Sequence, residues 1–593
     1  AVPEGLPMSV TLSLAFSMRK LMKENTLPRT MHSCETMGAT SVICTDKTGT
    51  LTQNQMQVAE TKLAKISDEL LAEMIATNTT ANLDFSDKKA IKAVGNPTEA
   101  ALLLWLNGKG ISYITVRENS EIIDRLPFST ENKYMVSVVK SVVLNKNVAF
   151  VKGAPEILLA LSNLDEKQKR EYQSLLLDYQ NKAMRTLALA YVESNGSEQV
   201  LKDGKLNVND LNFVGIFGIS DPVREDVPAA INDCVSAGIQ VKIVTGDTSG
   251  TAKEIGRQIG LWNEKDTDKN ILTGTEFAAM TDDELLNRVE DVKILSRARP
   301  NDKERLVRLL QKRGLVVAAT GDGTNDAPAL NVADVGLSMG DGTAVAKEAS
   351  DMTIQDNSFS TIANAVMWGR SLYKNIQRFL LFQLTVNVTA CFLVLVGAFM
   401  GTQSPLTVTQ MLWINLIMDT FAAIALASLP PSKSVMNDKP RDRKASILSD
   451  SMRKEILGVG FFFFFLLVAM LFVFEHGDYT SMRDLLNLYI GERDSLTTYE
   501  LTLLFTTFVM THFFYLFNAR AFETGKSALH FKGCQGLLAI IAVVFLGQIA
   551  MVEIPFLQDF FNVCGLKFED WIIIIIGSSL VLWVREIWHL ITK

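Results

Sequence analysis

The chain has 593 residues, too many for one hydrophobic core, so several domains are expected. A net charge of −7 at pH 7 gives no support to nucleic-acid binding, and no nucleic-acid partner is expected. Hydrophobic residues make up 48% of the chain but are unevenly spread, with soluble-protein character over the first 360 or so residues and repeated long apolar runs after them. The six cysteines (Cys34, Cys44, Cys234, Cys391, Cys534 and Cys564) show no metal or pairing pattern, which points to free thiols in a reducing compartment.

The chain opens AVPEGLP, where two prolines and a glycine interrupt helical bonding beside Glu4. Freed carbonyls and a carboxylate at that depth make a hard-oxygen site. The start reads as part of a membrane helix leading into Arg19, Lys20 and Lys23, with neither initiator Met nor signal peptide. We therefore read the sequence as a fragment, or as numbered without an N-terminal part.

The run Ser41–Thr52 (SVICTDKTGTLT) is the most specific signal. A short apolar strand is expected to deliver Asp46 to its end, and Lys47 to Thr50 to form a small-residue turn open to a phosphate. A carboxylate so placed is a candidate nucleophile, with phosphate as its electrophile. Residues of about 61–215 then read as an inserted α/β domain without a Walker-type glycine loop.

Two further strands are expected to end in acidic turns: 238–247 (GIQVKIVTGD) and 315–326 (LVVAATGDGTND). Lys303 lies between them, before a helix-like run. Strands alternating with helices argue a parallel sheet with ligands beyond its carboxyl ends, where Asp46, Asp247, Asp322 and Asp326 fall. One acid can be phosphorylated, others can hold Mg²⁺, and a lysine can offset phosphate charge.

Six apolar segments then have spanning length: about 377–400, 406–429, 456–474, 499–517, 536–555 and 571–590. Lipid bilayer is the expected solvent. The basic loop 432–454 and the acidic loop 475–494 orient them with the catalytic region in the cytosol. Polar residues inside these spans are costly and informative. In 413–419 (WINLIMD), Asn415 and Asp419 fall at i, i+4 on one helical face, and Asn387 lies on the preceding span. All are oxygen donors, and no Cys or His pair suits copper or zinc. Glu4 and Asp419 carry two negative charges, which neutralise one divalent cation. His512 reads as a packing histidine, with proton handling as the alternative.

The segments 41–52, 238–247, 299–303 and 315–326 resemble the phosphorylation domain of P-type ATPases, within the haloacid-dehalogenase-like superfamily. The resemblance covers essentially the whole chain. It implies a fold of α/β plus all-α membrane domain: residues 1–27, end of a membrane helix and stalk; 28–60 and 216–360, the two parts of the phosphorylation domain; 61–215, the inserted nucleotide-binding domain; 361–593, six transmembrane helices. It makes Asp46 the phosphorylated residue and Asp46, Asp322 and the Thr48 carbonyl the Mg²⁺ ligands. Thr245 and Lys303 would contact the phosphoryl group, with Asn325 and Asp326 in support and Gly246 and Asp247 in the nucleotide-facing turn. Soluble phosphatases of the superfamily carry a second Asp two residues after the nucleophile; Thr48 stands there in this chain, so the acyl phosphate is expected to persist.

The resemblance further implies ATP binding by Glu99 (in NPTE), Phe128 (after Pro127), Lys133, Lys152 and Arg185, with 221–224 (DPVR) as the return hinge. The membrane motifs resemble calcium pumps of the plasma-membrane type, with one Ca²⁺ per ATP held by Glu4, Asn387, Asn415, Asp419 and the Val2 carbonyl. Ala390 and Met418 stand where two-site relatives place an acid and a Thr. If a second ion were bound, His512 and Glu553 are the first positions to examine. Export of another divalent cation such as Mn²⁺, a membrane-anchored phosphatase and a non-catalytic scaffold or channel are the rival readings. No Thr-Gly-Glu-Ser occurs, so a missing N-terminal actuator domain is expected to be needed for turnover, and no C-terminal calmodulin-binding tail is evident.

Overall fold

The structure is a computed structural model that describes residues 5–86, 91–194, 200–202, 204–427, 429–477, 479–486, 495–531 and 534–592. Short apolar strands separated by helices build an eight-stranded sheet. Its spatial order is Thr26–Pro28, Met352–Ile354, Val335–Met339, Val317–Gly321, Val42–Thr45, Gln240–Val244, Ile294–Ser296, Ile271–Thr273. All neighbours are parallel except the first pair. Alternate side chains serve opposite faces: Ile43, Val241, Ile243 and Ala318 pack in one core, and Val42, Cys44, Val244 and Val317 in the other. The chain leaves Val42–Thr45 for strands on both of its sides, so the crevice at its carboxyl end is a topological switch point.

A second sheet of six antiparallel strands runs Gln57–Leu63, Asn212–Ser220, Arg185–Glu193, Lys146–Gly153, Tyr134–Ser141, Glu121–Leu126. Its first two strands straddle the boundaries expected at 60/61 and 215/216, because both are continuous, paired extended segments. Asp221 ties the two crossings between the sheets together: its carboxylate accepts from Thr52 Oγ1 at 2.5 Å and from the Gln55 N–H at 3.1 Å.

Six helices among the described residues are long and apolar enough to cross a membrane: Phe359–Met400, Val408–Ala427, Asp450–His476, Thr498–Arg520, Gln535–Glu553 and Phe568–Ile591. The chain is a multi-pass membrane protein. In the run Phe461–Phe465, Phe463 and Phe464 are buried while Phe462 and Phe465 face outward, as a lipid-facing helix requires. The fifth helix ends at Glu553, short of the expected 555, because Pro555 starts a separate turn of helix, Pro555–Phe561. The first spanning helix has 42 residues, about 63 Å at 1.5 Å per residue, and runs unbroken from the eight-stranded sheet into the membrane region. Ser358 caps its start through the Ser360 N–H, and Gly401 closes it with φ of 76°. At Gly369 it crosses helix Met31–Ala39 so closely at Gly38 that a Cβ on either glycine would enter the other's backbone.

Candidate functional site

Asp46 is the first residue beyond Val42–Thr45, and its N–H donates to Thr320 Oγ1 at 3.2 Å. Helix Pro300–Lys312 aims Lys303 into the same crevice, where Nζ lies 3.1 Å from Asp46 Oδ1 and 2.7 Å from Asp326 Oδ1. Asp326 is buried, and its other oxygen accepts the N–H groups of Asp322 and Gly323 at 3.2 and 3.1 Å. One carboxylate oxygen from each of Asp46, Asp322 and Asp326 lies within 4.8 Å of the others. Gly49, with φ of 76°, lets the turn after Asp46 approach: a Cβ there would stand 2.6 Å from Asp322 Oδ2.

The remaining expected residues fall around this crevice. Thr245 is buried and its Oγ1 accepts the Asp247 N–H at 3.1 Å. Asp247 pairs with Lys47 at 2.5 Å, joining the turns after two neighbouring strands, a link that sequence spacing did not suggest. At Gly246 the space where a Cβ would stand is open. Thr48 is half-buried in the Asp46 turn, and Asn325 is exposed in the short turn Thr324–Asp326. Arg224 donates to the Gly49 and Thr52 carbonyls at 3.0 and 3.1 Å, fixing that turn from outside.

Burial pushes the Asp46 carboxyl up to about 6, with Lys303 drawing it down and Asp326 and Asp322 adding to the rise. Asp322 is raised by burial and by Asp326. Burial works against the charge of Lys303, but Asp46 and Asp326 outweigh it and raise its pKa. Three clustered carboxylates facing one ammonium leave an excess of negative charge on hard oxygens. That donor set fits Mg²⁺, with Asp46 and Asp322 at the mouth of the crevice and Asp326 held behind by Lys303.

Glu99, Phe128, Lys133, Lys152 and Arg185 line one pocket of about 500 Å³ on the second sheet, with Asn96, Thr98 and Thr130 beside them. Glu99 and Lys152 form a buried ion pair at 2.8 Å, a pairing that their separate motifs did not reveal. Glu99 also accepts from Thr79 Oγ1, Thr80 N and Thr80 Oγ1 at 2.7–3.0 Å. Burial raises the Glu99 carboxyl, but Lys152 and Thr80 hold it down at about 2. Phe128 is 58% exposed, an aromatic face left open at the pocket mouth.

In the membrane region, Asn387 and Asp419 come from the first two spanning helices. Asp419 is fully buried and Asn415 half-buried. The i, i+4 α-helical reading of this stretch is corrected: Trp413–Met418 is π-helical, and the Asp419 N–H reaches the carbonyl of Ile414, five residues back. The wider turn still brings Asn415 and Asp419 to neighbouring positions, and such local widening recurs at functional sites. Asn387 Nδ2, Asn415 Oδ1 and Asp419 Oδ1 are buried without a hydrogen-bond partner among the described residues. So is Oε1 of Gln383, which sequence reasoning passed over; its Nε2 donates to Asp419 Oδ2 at 3.2 Å. Glu4 and Val2 lie outside the described residues. His512 is buried between Phe463 and Phe508, with Nδ1 2.7 Å from the Phe508 carbonyl oxygen and Nε2 without a hydrogen-bond partner among the described residues. Glu553 is occupied by Trp571 Nε1 at 2.7 Å and the Leu566 N–H at 3.3 Å.

Three family models match the chain: P-type ATPase, cytoplasmic domain N, over residues 67–226; haloacid dehalogenase-like hydrolase over 304–366; and cation transporting ATPase, C-terminus, over 403–591. The chain belongs to the P-type ATPases. Similar relatives include a putative calcium-transporting ATPase 13, plasma membrane-type, of Arabidopsis thaliana, 38% identical over 96% of this chain and 57% of the relative. Calcium-transporting ATPase 5, plasma membrane-type, of Oryza sativa subsp. japonica is 37% identical over 98% of the chain and 56% of its own length. This P-type ATPase chain thus spans a little over half the length of the curated relatives it matches.

Proposed function

We propose that this chain carries the catalytic and ion-binding machinery of an ATP-driven calcium exporter of the plasma membrane, moving one Ca²⁺ per ATP. The observation that carries the reading is the Lys303 bridge between Asp46 and Asp326 at the carboxyl ends of the parallel strands. An Asp46 oxygen attacks the γ-phosphorus of ATP, the new O–P bond forms as the bond to the β-phosphate oxygen breaks, and ADP leaves with that electron pair. Lys303 and Thr245 steady the transferring phosphoryl group, and Asp326 holds Lys303 in place, with Asn325 alongside. Asp46, Asp322 and the Thr48 carbonyl hold Mg²⁺, which supplies charge neutralisation at the phosphates. Phe128 stacks the adenine, while Lys133, Lys152, Glu99 and Arg185 shape its pocket and Gly246 and Asp247 face the nucleotide.

Asn387, Asn415 and Asp419, with Glu4 and the Val2 carbonyl, hold the transported ion. The unpartnered oxygens of Asn415 and Asp419, buried among lipid-spanning helices, support that role, because such groups are costly unless something fills them. Printed names of the relatives favour calcium as the cargo. The test uses the full-length protein, with acid-stable labelling from radioactive ATP across a panel of ions. Calcium-dependent label that disappears in both Asp46→Asn and Asp419→Asn is expected; label that persists in Asp46→Asn, or that ignores calcium in the unaltered protein, would overturn the reading.

A further inference from the structure

We infer that Gln383 is a positioning and ion-selecting residue of the intramembrane site; this rests on the reading of Asn387, Asn415 and Asp419 as the cation's ligands. Gln383 is fully buried and stands one turn before Asn387 on the same helix, so the two share a face. Its amide N–H donates to Asp419 Oδ2 at 3.2 Å, across from one spanning helix to the next. Among the described residues it is the only side chain that donates to Asp419, and no lysine or arginine pairs with that carboxylate. The amide therefore fixes the orientation of Asp419 by occupying one oxygen.

The other half of each group is open. Asp419 Oδ1 and Gln383 Oε1 are both buried and both lack a partner among the described residues. An unmet buried carbonyl is destabilising unless something fills it; Asn518 Oδ1 and Gln548 Nε2 are open as well, but among the described residues Gln383 is the amide bonded to the buried carboxylate of Asp419. Here the donor end is used on Asp419 and the acceptor end is left open, as is the other oxygen of that carboxylate. Two hard oxygens on hydrogen-bonded neighbours suit a cation that takes six to eight oxygen ligands. Each added carbonyl oxygen favours the larger, less demanding Ca²⁺ over smaller divalent ions that require tight octahedral geometry.

The test measures half-saturating Ca²⁺ and Mn²⁺ for phosphorylation of the full-length protein from ATP. Gln383→Leu removes both halves of the amide and is expected to raise the Ca²⁺ requirement about 10–100-fold, the scale seen when a partner of a metal ligand is lost. The Mn²⁺ requirement is expected to rise less, so the preference for Ca²⁺ narrows. Gln383→Asn, which keeps the amide on a shorter arm, is expected to recover part of the preference. If the leucine variant does not accumulate, Gln383→Met, close to glutamine in volume, replaces it. An unchanged Ca²⁺ requirement, or equal losses for the two ions with no recovery in Gln383→Asn, would overturn the inference. Asp419→Asn separates this from failure of the site itself: Ca²⁺-dependent label surviving there sinks the ligand assignment, whereas its loss beside an unaffected Gln383→Leu sinks only the role of Gln383.

Discussion

Replacing Lys303 by methionine keeps most of the side-chain stem but removes the ammonium that bridges Asp46 and Asp326. Each of its contacts, 3.1 Å to Asp46 and 2.7 Å to Asp326, carries gross attraction of about 5–6 kcal/mol at an effective dielectric constant near 20. Burial of the ammonium offsets several kcal/mol of that. The raised pKa of Lys303 says that attraction wins, so the charge is in place before any phosphate arrives. Negative charge developing on the transferred phosphoryl group then meets a fixed cation rather than three carboxylates alone. Removing one such preorganised stabiliser costs about 3–4 kcal/mol, or 10²–10³ in rate. Rapid-quench measurement of acid-stable label from Mg-ATP in the full-length protein is the assay. Lys303→Met should label 10²–10³ times more slowly, while equilibrium nucleotide binding, whose pocket contains none of these groups, stays unchanged. A labelling rate within about threefold of the unaltered protein would refute this account of Lys303.

Phe128→Ala should weaken ATP binding by about 1–3 kcal/mol, the scale of base stacking on an aromatic side chain, with calcium binding intact; equilibrium titration of nucleotide and ion checks both. Glu99 titrates at about 2 in the folded protein against an ordinary 4.5, so it contributes stability that is fully present above pH 4.5 and is lost as pH falls towards 2. Hydrogen-exchange protection in helix Pro97–Gly108, taken relative to the intrinsic rate at each pH, should fall between pH 4.5 and 2 in the unaltered protein by more than in Glu99→Gln.

The strand-end position of Asp46 was legible because its signal is local: an apolar stretch, then a small-residue turn. Lys303 and Asp326 were legible as chemistry, but not that one would bridge the other to Asp46, since the three residues meet only through strand order. The six spans were equally plain, as length and hydropathy are properties of contiguous sequence. Gln383 was hidden for the opposite reason. A single amide in an apolar helix carries no local signal, and its meaning comes from Asp419, 36 residues on and on another helix. The π turn at Trp413–Met418 was hidden too, because a period of 3.6 was assumed where side chains alone do not reveal the change of winding. The pairing of Glu99 with Lys152 and of Lys47 with Asp247 likewise joins motifs that sequence presents separately.

The order of strands in the catalytic sheet also dictates a timetable for biosynthesis. Val42–Thr45 sits at the centre of that sheet, yet one of its neighbours lies 275 residues further along the chain. At ribosomal speeds of 5–20 residues per second, roughly 15–55 s separate the two. The second sheet, closed by Gln57–Leu63 against Asn212–Ser220, can assemble within that interval. Both edges of the Val42–Thr45 strand are unpaired until Gln240–Val244 emerges, and one stays open until Val317–Gly321 follows, an invitation to misassociation. Asp46 meanwhile stands without Lys303 or Asp326, so a nascent chain whose second sheet is already closed still lacks two of the groups that complete the crevice around Asp46.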